Sequence, residues 1–191
     1  MTTLAVVRKN GFVAIAADGL TTFGDTRLPA EYKRENDKIL NVADSWIGVC
    51  GSSAHHVVLG SAFRELNDVR LDSREAVYET FRRLHPILKE HAYLNPKEDE
   101  DDPYESSQIS CLIANASGIY GVYSYREVFA YERFWAAGSG KSFALGAMFA
   151  AYNSQLPAEE IARLGVRGGI EFDTASSGPI VSYAVELSGQ E

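Results

Sequence analysis

The sequence predicts an α+β fold, a four-layer α/β/β/α sandwich of two antiparallel sheets. Its strand-like runs are near-continuously apolar, as in strands that are covered on both faces. Helical patterns occur in two pairs, and the elements follow the order strands, two helices, strands, two helices, strand. The chain of 191 residues is 46% hydrophobic and contains neither a repeat nor a linker, which predicts one domain over residues 1–191.

The first part of the chain favours two strand hairpins. Asn10-Gly11 lies between two apolar runs, and both residues accept the positive φ that a tight hairpin turn requires. The segment after this hairpin is polar and contains Gly24 and Pro29, which indicates a loop. The predicted elements are strands over 4–8 and 12–17, a loop over 20–29, and strands over 38–42 and 46–51.

Two helices are expected next. From Ala54 to Val69 the apolar residues recur at helical spacing, which predicts a helix over 54–69. Ser73 is a suitable N-cap for a second helix over 74–94. Pro86 lies inside that second helix and predicts a kink or a break, because proline has no backbone N–H to donate.

In the second half of the chain, strands are again followed by two helices. Residues 95–108 are strongly polar and bracketed by prolines, which predicts a solvated surface loop. Pro157 occupies a first-turn position of the last helix, and Gly165 is expected to follow its end. The predicted elements are strands over 109–114, 119–124 and 127–137, helices over 141–153 and 157–166, and a last strand over 180–187.

The composition argues against several classes of function. A net charge of −8 and an isoelectric point near 5.1 argue against nucleic acid or acidic membrane as partners, because both require basic patches. Cys50 and Cys111 lie in separate apolar runs and are expected to be reduced core residues of a cytoplasmic protein. No apolar run has the length of a membrane span, and the first residues do not have the pattern of a signal peptide.

Two motifs resemble ligand sites but do not meet the requirements of those sites. The segment GSGKS at 138–142 looks like the end of a phosphate-binding loop, but Trp135 stands where that motif needs a glycine. His55 and His56 open a predicted helix and have no partner motif with metal-ligand spacing. We therefore expect no cofactor and no metal.

Thr2, directly behind Met1, is the residue that most strongly indicates a chemistry. An initiator methionine is normally removed before a residue as small as threonine, and removal would leave a free α-amine beside the hydroxyl of Thr2. The amine can then act as the general base for the hydroxyl nucleophile of the same residue. Asp18 and Lys38 supply an acid and a base in the strand contexts where a threonine hydrolase needs them.

The opening segment, TTLAVVRKNGFVAIAADGLTTFGDT, and the order of elements resemble the proteasome β-subunit superfamily, which includes the HslV peptidase. The resemblance runs from Thr2 to about Val181, and its nearest branch is the short bacterial proteasome homologues (BPH). It implies the N-terminal nucleophile hydrolase fold and the activity of a threonine endopeptidase.

The resemblance also implies roles for individual residues. Thr2 matches the nucleophile, and Asp18 and Lys38 match the acid and the lysine that accompany it. Gly51 matches the glycine whose backbone N–H forms the oxyanion hole. The residues matching those that hold the N-terminal amine are Ser139, Asp173 and Ser176, and those matching substrate-binding positions are Thr22 and Val49.

Two departures from the family pattern leave alternatives open. The segment between Asp18 and Lys38 is a few residues longer than in the family, so Lys33 competes with Lys38 as the active-site lysine. Lys38 begins an apolar strand whereas Lys33 lies in a charged run, which favours Lys38. Residues 176–179 read Ser-Ser-Gly-Pro where the family has Ser-Gly-Gly.

The expected function is hydrolysis of peptides and unfolded polypeptides inside a closed double ring. The resemblance implies homo-oligomeric rings of six or seven subunits, twelve or fourteen in all, and the less HslV-like second half favours fourteen. The residues do not identify an ATPase or adaptor that would feed the chamber. Two alternatives stay open, an N-terminal-nucleophile hydrolase of a small amide metabolite and a non-catalytic ring scaffold.

Overall fold

The computed structural model of the chain describes residues 2–34, 38–97 and 101–189. Within these residues the strands are β1 (Thr3–Lys9), β2 (Phe12–Ala17), β3 (Thr21–Phe23), β4 (Thr26–Leu28), β5 (Ile39–Val42), β6 (Ser45–Cys50), β7 (Ser110–Asn115), β8 (Gly118–Val122), β9 (Val128–Tyr131), β10 (Phe134–Gly138) and β11 (Val181–Glu186). The α-helices are α1 (Ala54–Glu65), α2 (Arg74–His91), α3 (Lys141–Ala151) and α4 (Ala158–Phe172). Among these described helices, none has the length and apolar character that crossing a membrane requires.

Two antiparallel sheets form the centre of the molecule. One has the strand order β10-β1-β2-β11, and the other has the order β5-β6-β7-β8-β9. Helices α3 and α4 pack against the first sheet, and α1 and α2 pack against the second. The inner faces of the two sheets pack on each other. The fold is therefore α+β, a four-layer α/β/β/α sandwich, as the sequence predicts.

The apolar runs in the sequence correspond to strands with two buried faces. In β1, Leu4 and Val6 face the opposite sheet, whereas Ala5 and Val7 face α3 and α4. All four side chains are fully buried. Because successive strand residues point to opposite sides, a strand between two layers needs apolar residues at every position. The period-two alternation of a half-exposed strand is absent from β1 for this reason.

Glycines let α4 approach its neighbours closely. A Cβ at Gly169 would collide with Thr3 Oγ1, and a Cβ at Gly165 would lie 2.8 Å from Met148 Cγ of α3. Close-packed interiors do not accommodate side chains at such positions without displacing their neighbours. Helix α4 therefore lies directly against the start of β1, and its C-terminal end delivers the chain to the region of Thr2.

Several helix ends differ from the sequence prediction. Helices α1 and α2 end at Glu65 and His91, before their predicted bounds. Helix α4 is preceded by Pro157 as its N-cap, but it continues past Gly165 to Phe172. The prediction that Gly165 follows the helix was wrong, because this glycine serves a close packing contact and is not a cap.

Pro86 does not break α2, which runs through it without interruption. Pro86 is exposed, so water can satisfy the carbonyl group that loses its partner. Leu84 and Leu88, one on each side of the proline, are buried and hold the helix on the sheet. The predicted N-cap is confirmed, because the side chain of Ser73 accepts a hydrogen bond from Ala76 N at 3.2 Å.

The segment over 20–29 contains a hairpin where the sequence predicted a loop. Strands β3 and β4 pair with each other there, and the turn includes Gly24 with a φ of +57°. Both strands are three residues long and carry polar side chains. Strands this short and polar show no apolar periodicity, so the sequence pattern could not reveal them.

The predicted surface loop over 95–108 is tied to the body of the protein at one end. Its residues 98–100 lie outside the described residues. Ser106 and Ser107 are buried. Ser107 Oγ lies 2.9 Å from His85 Nδ1 and accepts a hydrogen bond from Arg126 at 2.9 Å. The polar composition concealed this anchoring, because serine is common in both exposed and hydrogen-bonded buried positions.

Candidate active site

Thr2 directly precedes β1 and is almost fully buried. The first residue of β1, Thr3, pairs with Gly138 at the end of β10. Gly138 has a φ of +90°, and a Cβ at this position would collide with the carbonyl oxygen of Thr2. Glycine tolerates both the positive φ and the close approach. The end of β10 is therefore shaped to receive the backbone of Thr2. Met1 lies outside the described residues.

The Asp18 carboxylate connects several segments beneath Thr2, and its side chain is fully buried. Its Oδ1 accepts hydrogen bonds from Thr3 N at 2.9 Å and from Lys38 Nζ at 2.8 Å. Its Oδ2 accepts from Leu20 N at 3.0 Å and from Ser177 N at 3.2 Å. A buried carboxylate needs this level of pairing, because an unpaired charge in the interior is strongly unfavourable.

Lys38 is the cation that pairs with Asp18. It directly precedes β5, and its side chain is 14% exposed. Burial lowers the pKa of Lys38 from its ordinary value, and the Asp18 carboxylate opposes this shift. The nearby Lys33 lowers the pKa further by like-charge repulsion. A partly buried ammonium next to Thr2 favours negative charge on a neighbouring oxygen.

Lys33 lies near the same site but has different hydrogen-bond partners. Its Nζ donates to Gly19 O at 3.0 Å and to Thr21 Oγ1 at 2.9 Å. Burial lowers the pKa of Lys33, and Asp18 opposes this shift from a distance. The ion pair with Asp18 is made by Lys38. This geometry favours Lys38 over Lys33 as the lysine of the site.

Asp173 anchors a second set of hydrogen bonds on the other side of Thr2. Its Oδ2 accepts from Ser139 Oγ and from Ser176 Oγ, both at 2.7 Å. Burial acts to raise the pKa of Asp173, but the hydrogen bonds from the two serines and from Ala175 N outweigh it. The pKa of Asp173 is therefore held below its ordinary value, and the group is a carboxylate at neutral pH.

The limited number of hydroxyl protons sets the direction of the remaining hydrogen bonds. Each serine hydroxyl has one proton to donate. In the 3.3 Å contact with Ser139 Oγ the backbone N–H of Thr2 is the donor, and Ser139 Oγ is free to accept it because its own proton goes to Asp173. The proton of Ser176 is likewise committed, so Thr3 Oγ1 donates in its 2.7 Å contact with Ser176 Oγ. Asp173 thus makes both serines acceptors for the N-terminal segment.

Two cavities meet at Thr2. The smaller, of about 580 Å³, we call the lysine cavity; it includes Lys33, Lys38, Thr22, Phe23 and Val49. The larger, of about 860 Å³, we call the aromatic cavity; it includes Tyr123, Phe129, Tyr131, Trp135 and Ser139. Thr2 and Gly51 line both cavities.

Gly51 follows β6 and has a backbone that other residues rarely adopt. Its φ is +117°, and a Cβ there would lie 3.2 Å from His55 Nδ1 at the start of α1. Both features favour glycine. The position next to Thr2 is therefore occupied by backbone, which suits a role as a hydrogen-bond donor to a reacting group.

The structure brings together all the site residues that the sequence predicts. Thr22, Val49 and Gly51 line the cavities at Thr2, and the remaining residues belong to its two hydrogen-bond networks. Sequence reasoning missed the roles of Thr3 and of the backbone N–H groups of Leu20 and Ser177. It also missed the aromatic cavity, although the alternate spacing of Phe129 and Tyr131 on β9 indicates a shared aromatic face.

Comparisons with known proteins agree with this fold. The chain is 28% identical over 166 residues to the ATP-dependent protease subunit HslV of Caldanaerobacter subterraneus subsp. tengcongensis, which covers 85% of both chains. It is 42% identical to Thiobacillus denitrificans BPH in complex with epoxomicin, with a TM-score of 0.92 over 98% of this chain and 100% of that one. A second structure of T. denitrificans BPH, also 42% identical, gives a TM-score of 0.93 over 99% and 100% of the two chains.

A more distant structure shares the fold. The eukaryotic HslV of Trypanosoma brucei is 21% identical and has a TM-score of 0.72 over 97% of this chain and 99% of that chain. No family model matches the sequence.

The fold and the similarities define the class of protein as a threonine peptidase with the N-terminal nucleophile hydrolase fold. The chain belongs to the family of HslV and the proteasome β-subunits. The sequence identity of 42% to T. denitrificans BPH confirms the resemblance to the short bacterial proteasome homologues.

The two lysines can be separated by mutation. We expect Lys38→Ala to reduce kcat/KM for a peptide substrate by about 100-fold or more, because it removes the cation that Asp18 holds in the cavity at Thr2. Lys33→Ala should change kcat/KM by less than about threefold, because its Nζ is held on Gly19 and Thr21. Initial rates of hydrolysis of one peptide by the two purified variants give the comparison.

Loss of Lys38 also leaves Asp18 buried without its cation, so the control is a folding measurement. Thermal unfolding and partial rescue of Lys38→Ala by added methylamine or ethylamine separate lost chemistry from lost structure. A larger loss for Lys33→Ala than for Lys38→Ala would reverse the assignment.

Proposed function

We propose that the chain is a self-compartmentalising peptidase in which Thr2, exposed by removal of Met1, cleaves peptide bonds through its hydroxyl. Residues 1–191 would act as one peptidase domain. The observation that carries the proposal is the 3.3 Å hydrogen bond from Thr2 N to Ser139 Oγ. The nitrogen that becomes the α-amine after removal of Met1 is thus held by Ser139, which Asp173 orients in turn. The same nitrogen lies beside the hydroxyl of Thr2 and near the Asp18–Lys38 pair.

The acylation step follows from this arrangement. The neutral α-amine of Thr2 takes the proton of the hydroxyl as Oγ1 attacks the substrate carbonyl carbon. The ammonium of Lys38 favours the developing alkoxide. The backbone N–H of Gly51 donates to the carbonyl oxygen as it becomes an oxyanion, a contribution of about 3 kcal/mol in comparable sites. The protonated amine then gives its proton to the leaving nitrogen, and the C–N bond breaks.

Hydrolysis of the resulting ester completes the cycle. Water enters where the leaving amine has departed, and the Thr2 amine again acts as the base. The same donors stabilise the second tetrahedral intermediate, and collapse of that intermediate releases the Thr2 hydroxyl. The chain's own side chains and backbone supply every proton transfer in this cycle.

The shape of the site favours a polypeptide over a small amide metabolite. Cavities of about 580 Å³ and about 860 Å³ extend from the two sides of Thr2. A compact metabolite is bound best by one enclosed pocket, whereas two open cavities with the nucleophile between them accommodate an extended chain. Thr22 on β3 offers backbone for pairing with such a chain, and Val49 offers a small apolar contact. Peptides and unfolded polypeptides are therefore the proposed substrates.

Assembly into a homo-oligomeric double ring is supported by the exposed apolar residues of both helix layers. Helix α3 is apolar on every side, yet only Ala144 and Met148 of it are buried. Phe149 of α3 is 72% exposed and Phe172 of α4 is 67% exposed. On the other layer, Val57 of α1 is 73% exposed. Exposed large apolar side chains that group on a surface often mark contacts between proteins.

The nucleophile can be tested together with the processing of Met1. Intact mass should show wild-type protein without Met1, and Thr2→Ala should be processed in the same way because alanine is also small. Thr2→Ala should lose at least about 1,000-fold in kcat/KM, because its side chain has no nucleophile. Thr2→Ser, which keeps both the amine and a hydroxyl, should retain measurable activity.

Two outcomes would contradict this assignment. One is activity of Thr2→Ala above a few per cent of wild type, and the other is full activity of protein that retains Met1. A processed, inactive wild type would instead favour the non-catalytic scaffold.

The assembly can be tested by its mass in solution. Light scattering of wild type should give twelve or fourteen times the chain mass of 20.9 kDa, with fourteen expected. Phe149→Asp should lower that mass, because it would bury a charge in the contact between copies. Thr2→Ala should keep the mass of wild type. A stable monomer with full peptidase activity would contradict the closed compartment.

The pH dependence tests the amine as general base. The rate requires a neutral amine, so kcat/KM should rise with pH through the amine's pKa, from an ordinary value of about 7.7–8.0. Asp173, which is ionised, raises that pKa and the cation of Lys38 lowers it, and because the two effects oppose each other we expect the rise near neutral pH. At higher pH the rate should fall again as Lys38 loses its charge. Since burial lowers the pKa of Lys38, this fall should occur at a pH lower than the ordinary lysine pKa of about 10.4.

Asp173→Asn gives the matched comparison. It removes the carboxylate that stabilises the ammonium, so the rising limb should move to lower pH by roughly half a unit to one unit. The maximal rate should also fall, because the neutral amide of asparagine is a weaker acceptor for Ser139 than the carboxylate and orients it less firmly. An unmoved limb with an unchanged maximal rate would show that Asp173 does not support the amine.

A further inference from the structure

We propose that the aromatic cavity binds the residue that follows the scissile bond, and that it selects a large, planar, uncharged side chain there. This inference rests on the proposed function and adds a specificity on the leaving side of the substrate. We call Tyr123, Phe129, Tyr131 and Trp135 the aromatic wall.

The aromatic wall is a preformed stack that joins the edges of the two sheets. Phe129 and Tyr131 of β9 stack with centroids 6.5 Å apart. Tyr131 also stacks with Trp135 of β10 at 5.2 Å. The hydroxyl of Tyr123 accepts a hydrogen bond from Trp135 Nε1 at 2.8 Å and lies 2.8 Å from the Tyr131 hydroxyl. These bonds hold the rings in place, so little conformational entropy is lost when a ligand binds.

The wall is open towards the cavity and uncharged. Phe129 is 51% exposed and Trp135 is 38% exposed, although both line a cavity that also contains Thr2. Burial is the main cause that raises the pKa of Tyr131, and the hydrogen bond with Tyr123 raises it further, so this phenol stays neutral. Flat aromatic faces bind other aromatic rings by stacking and edge contacts. Lys141, which lines the same cavity, disfavours a cationic side chain.

Proton transfer assigns this cavity to the leaving side. The leaving nitrogen must take its proton from the Thr2 amine, so it must lie on the amine's side of the nucleophile. The hydrogen bond from Thr2 N leads to Ser139, and Ser139 lines the aromatic cavity and not the lysine cavity. Lys38 lines the lysine cavity and not the aromatic cavity. A peptide substrate that lies across Thr2 therefore places the part after the scissile bond against the aromatic wall.

The main test uses three peptides that are identical up to the scissile bond. They carry Phe, Gly or Lys as the next residue, and cleavage at that bond is verified by mass spectrometry. For wild type we expect kcat/KM for the Phe peptide to exceed that for the Gly peptide by about tenfold, with the Lys peptide lowest.

Variants in the two cavities provide matched controls. Phe129→Ala should reduce the Phe-to-Gly ratio to below about threefold, and Phe129→Leu should give an intermediate ratio because leucine is apolar but not planar. Phe23→Ala removes an aromatic ring that is 61% exposed and lines the lysine cavity, so the Phe-to-Gly ratio should stay at the wild-type value.

A second measurement needs no variant. The acyl-enzyme can be captured by an added amine, which attacks the Thr2 ester, forms an amide and returns the proton to the Thr2 hydroxyl. Phenylalaninamide should capture the acyl group about tenfold more efficiently than glycinamide, because it binds the same cavity in the reverse direction. The ratio of the two amide products, measured by mass spectrometry with both amines present, gives their relative capture efficiencies.

The outcomes separate this inference from the proposed function. If wild type cleaves all three peptides with equal kcat/KM, the aromatic wall has no selective role and the peptidase assignment stands. If Phe129→Ala changes the mass of the assembly in solution, the wall is a contact between copies and the inference is overturned. If wild type cleaves none of the peptides, both proposals fail.

Discussion

The buried Asp18 carboxylate is the interaction on which the rest of the site depends. Its four hydrogen bonds come from the start of β1, the turn after β2, the segment after α4 and the start of β5. These segments belong to both sheets and to the connection from a helix layer. Removing one partner of a buried pair costs about 3–5 kcal/mol, so the carboxylate and Lys38 hold one another in place. The position of Thr2 follows from that fixed point, because Thr3 N is one of the four donors.

Two carboxylates flank Thr2 with different electrostatic tasks. Asp18 is fully buried and neutralised by a lysine, so it holds a positive charge near the hydroxyl. Asp173 is paired with serine hydroxyls and directs their lone pairs towards the N-terminal segment. In the proposed mechanism, one network would therefore act on the hydroxyl oxygen of Thr2 and the other on its nitrogen. This division lets a single threonine carry two functional groups that must differ in protonation at the moment of reaction.

The sequence carried enough information for the fold layers and for the residues now proposed as catalytic. Double-sided burial of the strands was visible as unbroken apolar runs, such as residues 4–7. The proposed catalytic positions were recognisable because each lies in a short motif that matches the family pattern. The sequence could not reveal contacts between distant residues that have ordinary local contexts. Thr3 looked like a strand residue, and only the approach of α4 at Gly169 shows why its hydroxyl meets Ser176. The hairpin of β3 and β4 was missed because its strands are short and polar, and the length of α4 was missed because Gly165 serves a packing contact with α3.

The direction of the hydrogen bonds around Ser139 has a consequence for how such an enzyme is switched on. Thr2 N already donates to Ser139 in a chain that still carries Met1, where this nitrogen belongs to a peptide bond. Excision of one residue would convert that nitrogen from a non-basic amide to a basic amine. Latency would then reside in the identity of one functional group. Under the proposed function, such a chain would fold while it is chemically inert and would acquire its reactivity in a single covalent event.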